Sequence, residues 1–143
     1  MPAAARRDPY TTAHFSVEID GIADSSFASV SGLEGTVEVD EYREGSDSSV
    51  RLEPGSVSYS NIVVRRGLTS SNELFEWWSA VAAGNENRRN VSVVLLDRRR
   101  QEVARWNVHD AWPVRYAAPD LDAESDDVAI ETLELAHEGI ERA

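Results

Sequence analysis

What most constrains the fold of this chain is its rhythm. Apolar and polar residues alternate one by one along much of it, and the period lengthens to that of a helix in one segment. Phe15, Val17 and Ile19 alternate with Ser16, Glu18 and Asp20, and the run stops at the turn-forming pair Asp20-Gly21. Phe27, Val30 and Leu33 predict a second short strand ending near Gly32. Val37 and Val39, with Tyr42 on the other parity, predict a third. Together these read as a local meander. Ile62, Val63 and Val64 make a fourth strand. Val91 to Leu96 is so continuously apolar that it reads as a central strand covered on both sides, with Val103, Ala104, Trp106 and Val108 as its hairpin partner after the charged turn Asp97 to Arg100. Trp112-Pro113 reads as a bend, because proline is tolerated at edges and bulges but not in mid-ladder.

The helical segment lies between Gly67 and Gly84. Leu74, Phe75, Trp77, Trp78 and Val81 share one broad face, Ser70 and Glu73 have capping-box spacing, and Gly84 supplies the stop, which predicts a helix over about 71–83. The adjacent tryptophans read as the face that docks this helix on a sheet, not as a sugar platform. Residues 43–58, REGSDSSVRLEPGSVS, hold Gly, Ser, charge and Pro54-Gly55, and read as one long loop, of a length that in compact domains is usually either functional or disordered: a floppy surface loop, or an arm that orders against a neighbouring molecule. The proline-preceded acidic tract Asp120 to Asp127 is another loop. The pattern predicts a mainly β fold: an antiparallel β-sandwich or partly open barrel of about seven strands, one helix, and the long loop.

A chain of 143 residues is expected to form a single domain over 1–143, with residues 1–12 as an extended N-terminal arm. Cysteine is absent, so disulfides, thiolate catalysis and cysteine-based zinc sites are excluded. His14, His109 and His137 stand far apart with no second ligand at metal spacing. No HExxH, GxSxG, P-loop or GxGxxG is present, so no enzyme, cofactor or metal is expected. The start of the chain has no apolar run after its arginines, so no signal peptide is expected. No segment is long enough for a membrane span either. The net charge of −12 opposes binding to a phosphate backbone.

Two features remain. In the closing segment the apolar residues change parity, from Val128 and Ile130 to Leu133 and Leu135, which predicts a bulge or a strand buried on different faces at its two ends. Charge is also segregated. Glu34, Glu38, Asp40, Glu41, Glu44, Asp47 and Glu53 face only Arg43 and Arg51 in their stretch, whereas Arg65, Arg66, Arg88, Arg89 and Arg98 to Arg100 concentrate in the middle of the chain. Opposed patches and open sheet edges suit self-association.

Read in order, VEIDGI at 17–22, SGLEG at 31–35, EYREG at 41–45, RRGLTSSNELFEWW at 65–78, RRNVSVVLLD at 88–97, EVARWNVHDAWP at 102–113 and AIETLELAHEGIER at 129–142 carry a resemblance. The chain resembles the inner tube proteins of contractile injection systems and the related tail tube proteins of contractile-tailed phages. The resemblance implies a β-sandwich with one helix whose subunits form six-membered rings around a channel. The rings stack into a rigid tube inside a contractile sheath, which drives the tube through a target envelope. It further implies assembly in the cytoplasm as part of a phage tail-like particle or virion, with sheath, baseplate and cap proteins as partners and cargo or DNA in the lumen. On this sequence it makes Glu44, Asp47, Arg51 and Glu53 of the long loop candidate stacking residues and lays the arm through Tyr10 against a neighbour. Charge alone adds Arg98, Arg99 and Arg100 as their complement. A phage tail tube that conducts DNA and a monomeric carbohydrate-binding sandwich are the competing readings.

Overall fold

A computed structural model describes residues 8–22, 26–46 and 48–143. Alternating residues become strands β1 (Phe15–Ile19), β2 (Phe27–Ser31), β3 (Gly35–Tyr42), β4 (Arg51–Tyr59) and β5 (Ile62–Gly67). After helix α1 (Glu73–Ala82) come β6 (Arg89–Leu96), β7 (Glu102–Ala117), β8 (Ile130–Ala136) and β9 (Gly139–Arg142). Seven of these strands form one antiparallel sheet in the order β1-β6-β7-β8-β5-β2, with β9 added beside β7. β3 and β4 form a separate two-stranded ribbon.

The large sheet does not close into a barrel. Its edge strands β1 and β2 face each other without hydrogen bonding, across an apolar groove of about 350 Å³ lined by Phe15, Val30, Leu33, Leu95 and Trp106. The meander expected from the order of the first three strands is therefore absent. β1 pairs with β6 and β2 with β5, so for these two burial of the apolar face outweighs proximity along the chain, and β3 pairs with its chain neighbour β4. Valine-rich β6 lies between β1 and β7, in keeping with its unbroken apolar run. β7 is one strand by its pairing, and the irregularity expected at Trp112-Pro113 is present: Asp110 has φ 52, the partner changes from β6 to β8 between Ala111 and Trp112, and the register against β8 shifts between Pro113 and Arg115.

The long loop expected over 43–58 is mostly strand. Residues 51–59 are β4, paired with β3 from Tyr42↔Arg51 to Gly35↔Tyr59, and of the described residues only 43–46 and 48–50 form the connecting tip. The ladder slips between Val37↔Val57 and Val39↔Pro54. Three steps along β4 there match two along β3, so Pro54 and Gly55, which read as a turn, sit in a bulge.

Helix α1 packs Leu74 and Trp77 into the core, and Trp77 Nε1 donates to the Asn87 carbonyl at 2.7 Å. It begins two residues later than the capping-box spacing suggested. Asn72 precedes it with φ −107 and ψ 10, and no side chain caps it. The Thr69 hydroxyl instead accepts from the Ser71 amide at 3.2 Å, which commits the serines to a local turn. At the other end Gly84, with φ +92, and Asn85 donate to the Val81 and Ala80 carbonyls, both at 3.0 Å. That is a Schellman stop in which glycine is the favoured residue.

The parity change in the closing segment has a different cause from the one expected. Val128, 76% exposed, lies before the strand. Within β8 the core-facing set is Glu131, Leu133 and Leu135, all buried and all in phase. A buried glutamate occupies an apolar position, and Leu133 is covered by its own chain with no neighbour needed.

Candidate assembly interface

Glu131 is held by two neighbouring strands. Arg66 Nε on β5 donates to its Oε1 at 2.7 Å, and the Tyr116 hydroxyl on β7 donates to its Oε2 at 2.8 Å. Arg66 and Glu131 are each 2% exposed. Burial, then the hydrogen bond to Glu131 and its charge, push the Tyr116 hydroxyl up to about 12, against the opposing pull of Arg66. This polar knot ties β5, β8 and β7 together from inside and leaves no open site for a substrate. Among the described residues no group of three or more histidines or carboxylates is placed to hold a metal ion.

The surface tells more. Except for half-buried Gly55, every residue of the β3–β4 ribbon is exposed. Residues directly opposite in an antiparallel pair share a face. One face of the ribbon therefore carries Val37, Val57, Val39, Pro54 and Leu52, with Glu41 opposite Leu52. Val39 is 66% and Leu52 65% exposed. The other face carries Thr36 with Ser58, Asp40 with Glu53, and Tyr42 with Arg51. The bulge keeps the apolar residues together, because without its extra residue Val57 would fall on the Glu53 face. Gly55 lies on the acidic side, where the Asp40 carboxylate passes within 2.7 Å of the position a Cβ would take.

The root of the ribbon is fastened to the large sheet. The Ser60 hydroxyl donates to the Glu34 carboxylate, and Asn61 Nδ2 donates to Glu134 at 2.9 Å. Gly139 N donates to His137 Nδ1 at 3.1 Å, which places the ring proton on Nε2, and Nε2 donates to the Ser60 carbonyl at 2.9 Å. The His137 ring packs on Tyr59 with centroids 5.6 Å apart. At Gly32, φ is +94 and a Cβ would stand 2.1 Å from the Asn61 carbonyl oxygen, so the glycine of SGLEG is required for this approach. A firmly rooted arm thus projects an uncovered apolar face.

The expected site residues divide over three places. Glu44, Arg51 and Glu53 sit on the ribbon and its tip, all exposed, and Asp47 lies outside the described residues. Arg98, Arg99 and Arg100 form the exposed turn between β6 and β7. There the Asp97 carboxylate accepts from the backbone amides of Arg99 and Gln101 at 2.8 and 2.9 Å, and Arg100 has φ 64. Tyr10 is 61% exposed in the extended chain before β1, and residues 1–7 of the expected arm lie outside the described residues. Among the described residues no ion pair joins the acidic ribbon to the arginine turn. The ribbon's apolar residues were missed as interface because the bulge breaks their alternation in the sequence. The pair Val37 and Val39, two apart on β3, was the one available signal. Trp77 is buried, and Trp78, Trp106 and Trp112 are half-buried, with Trp106 in the wall of the apolar groove.

Two other surface arginines are already engaged. Arg105 is held charged by Glu102 at 2.8 Å and Glu18 at 3.0 Å, and Arg88 by Glu138 at 2.6 Å and Glu86 at 2.9 Å.

Residues 11–141 match the family model of the T4-like virus tail tube protein gp19. Among solved structures, a chain of the PVC sheath-tube complex in its extended state, an extracellular contractile injection system, is 27% identical. The match covers 96% of this chain and 93% of that one, with a TM-score of 0.87. A chain of the anti-feeding prophage baseplate, 6-fold symmetrised, is 29% identical over 96% of this chain and 97% of that one, at TM-score 0.81. A chain of the anti-feeding prophage cap is 25% identical over 99% and 95%, at TM-score 0.88. No curated protein sequence matches the chain.

Proposed function

Because the chain belongs to the T4-like virus tail tube protein family, we propose that it is the structural subunit of the rigid inner tube of a contractile injection system. The observation that carries this reading is the fold match to a sheath-tube complex at TM-score 0.87 with nearly all of both chains aligned. Subunits close into six-membered rings and the rings stack into a hollow tube, in keeping with the sixfold symmetry of the related baseplate. Sheath, baseplate and cap proteins are its partners, since relatives occur in assemblies of each kind. The whole chain acts as one tube domain. It assembles in the cytoplasm within a phage tail-like particle, and its work is binding and load-bearing, not catalysis. No helix among the described residues is long and apolar enough to cross a membrane.

Within this reading Glu44, Asp47, Arg51 and Glu53 on the ribbon meet Arg98, Arg99 and Arg100 of a copy in the next ring, and the arm through Tyr10 lies on a neighbour. Exposure of all the described members of this set, and the separation of acid from base within one chain, support that pairing. The test is electron microscopy with sedimentation of the purified chain across protein concentration. Rings or tubes of uniform diameter are expected, and a chain that stays monomeric in every condition would refute the reading.

A further inference from the structure

One histidine ties the root of the ribbon to the large sheet, and its two ring nitrogens have opposite tasks. His137 lies in the turn between β8 and β9, half-buried against that root. Its Nε2 faces the Ser60 carbonyl at 2.9 Å, and a carbonyl can only accept, so Nε2 carries a proton. Its Nδ1 faces the Gly139 amide at 3.1 Å, and an amide can only donate, so Nδ1 carries none. Only the neutral ring satisfies both partners. The Tyr59 ring, with its centroid 5.6 Å from that of His137, also lies 3.5 Å from the position a Cβ on Gly139 would take, so the ribbon, the imidazole and the β8–β9 turn are packed as one unit.

A second proton on the ring turns Nδ1 into a donor aimed at another donor. Gly139 is buried, so its amide loses its acceptor where water does not replace it. The bond from Nε2 to the Ser60 carbonyl survives and is charge-assisted. The charged ring is therefore held at one nitrogen and repelled at the other, and relief requires either the ring or the turn to move. The carboxylates on the surrounding elements are held elsewhere. Glu34 accepts from the Ser60 hydroxyl, Glu134 accepts from Asn61 Nδ2 at 2.9 Å, and Glu138 is paired with Arg88 at 2.6 Å. On β7 and β9, His109 Nε2 stands 3.6 Å from Glu141, a contact that protonation strengthens.

We propose that His137 is a proton-operated clasp: neutral, it fixes the ribbon to the β8–β9 turn, and protonated, it loosens the root of the ribbon while the large sheet stays folded. Histidine is the side chain that ordinarily changes charge between about pH 5 and about pH 8, so the clasp answers to mild acid. It is a property of the single chain and does not depend on the tube reading.

Residue-resolved hydrogen exchange of the full chain at about pH 7.5 and about pH 5, with the charge and tautomer of the ring read from its nitrogen-15 shifts, tests the clasp. At the upper pH the ring should be neutral with its proton on Nε2. Once it is charged, the protection of the Gly139 amide, measured against an unstructured chain at the same pH, should fall about tenfold. The Ser60 amide, bonded to the Glu34 carbonyl at 3.3 Å, should lose protection with it, while the amides of central strand β8 keep theirs. H137N puts an acceptor close to the place of Nδ1 at every pH, so its Gly139 protection should not respond to acid. H109N should respond as wild type does. A ring with its proton on Nδ1 at the upper pH, or a Gly139 amide equally protected once the ring is charged, would overturn the proposal. So would an acid response that persists in H137N or disappears in H109N. None of these readings requires assembly, so their failure leaves the tube reading standing, and a chain that forms no tubes leaves the clasp standing.

Discussion

Replacing Glu131 with alanine is the sharpest test of how the sheet is held. The change removes the acceptor of two hydrogen bonds, from Arg66 Nε at 2.7 Å and from the Tyr116 hydroxyl at 2.8 Å, and leaves a guanidinium 2% exposed without its carboxylate. Breaking a buried pair from one side costs about 3–5 kcal/mol, mostly the desolvation of the stranded charge. Against a total of roughly 5–15 kcal/mol for a domain of this size, that is a large share. At roughly 3–5 °C per kcal/mol, the melting temperature of the unassembled chain should fall by about 10–20 °C. The reciprocal change isolates the cause. In R66M/E131L both charges are replaced by apolar groups of similar length, so the double variant should recover most of the loss and approach wild type or exceed it. Urea unfolding of wild type, both single variants and the double variant gives the coupling energy directly, with a value of several kcal/mol expected. An E131A loss below about 1 kcal/mol, or a double variant as unstable as the sum of the singles, would refute the claim that a charged pair is buried between β5 and β8.

Tyr116 should ionise well above the ordinary tyrosine range. Its hydroxyl is raised from the ordinary 10.0 to about 12, and a raised value means the native state holds its proton more tightly than the unfolded chain. The stabilisation is complete below pH 10 and disappears as pH climbs toward 12, by at most about 3 kcal/mol, so alkaline unfolding should steepen over that window and Y116F should remove the effect. Gly32→Ala should cost about 3 kcal/mol or more, since the new methyl would meet the Asn61 carbonyl at a positive φ; an alanine variant that melts within a degree or two of wild type would show that the turn relaxes freely.

Much of the fold was legible in the sequence, and the exceptions share a cause. Alternation placed β1, β5, β6 and the start of β7, and the tryptophan face placed α1, because in each the apolar residues keep an unbroken period. β4 escaped because its period is broken by a bulge carrying Pro54-Gly55, residues that ordinarily signal a turn. β8 misled in the opposite direction. Its geometry is regular, but Glu131 occupies a position where period reasoning requires an apolar side chain, and the partner that makes this tolerable, Arg66, lies 65 residues away. The assembly surface was legible only in part. The charges could be counted from the sequence, but the apolar strip exists only once β3 and β4 are laid side by side in their shifted register.

The length of β7 has a mechanical consequence. It runs sixteen residues, Glu102 to Ala117, is flanked by β6 and β9 over its first part and by β8 over its last, and changes direction near Asp110, where φ is 52. At about 3.3 Å per residue its contour is at most roughly 50 Å, one covalent filament shared by both parts of the sheet. A force directed along it pulls its flanking ladders in shear, so many hydrogen bonds must yield together instead of opening one after another like a zip. The strand is a tendon sewn into the sheet, and a thrust that would peel short strands apart is spread along its seams.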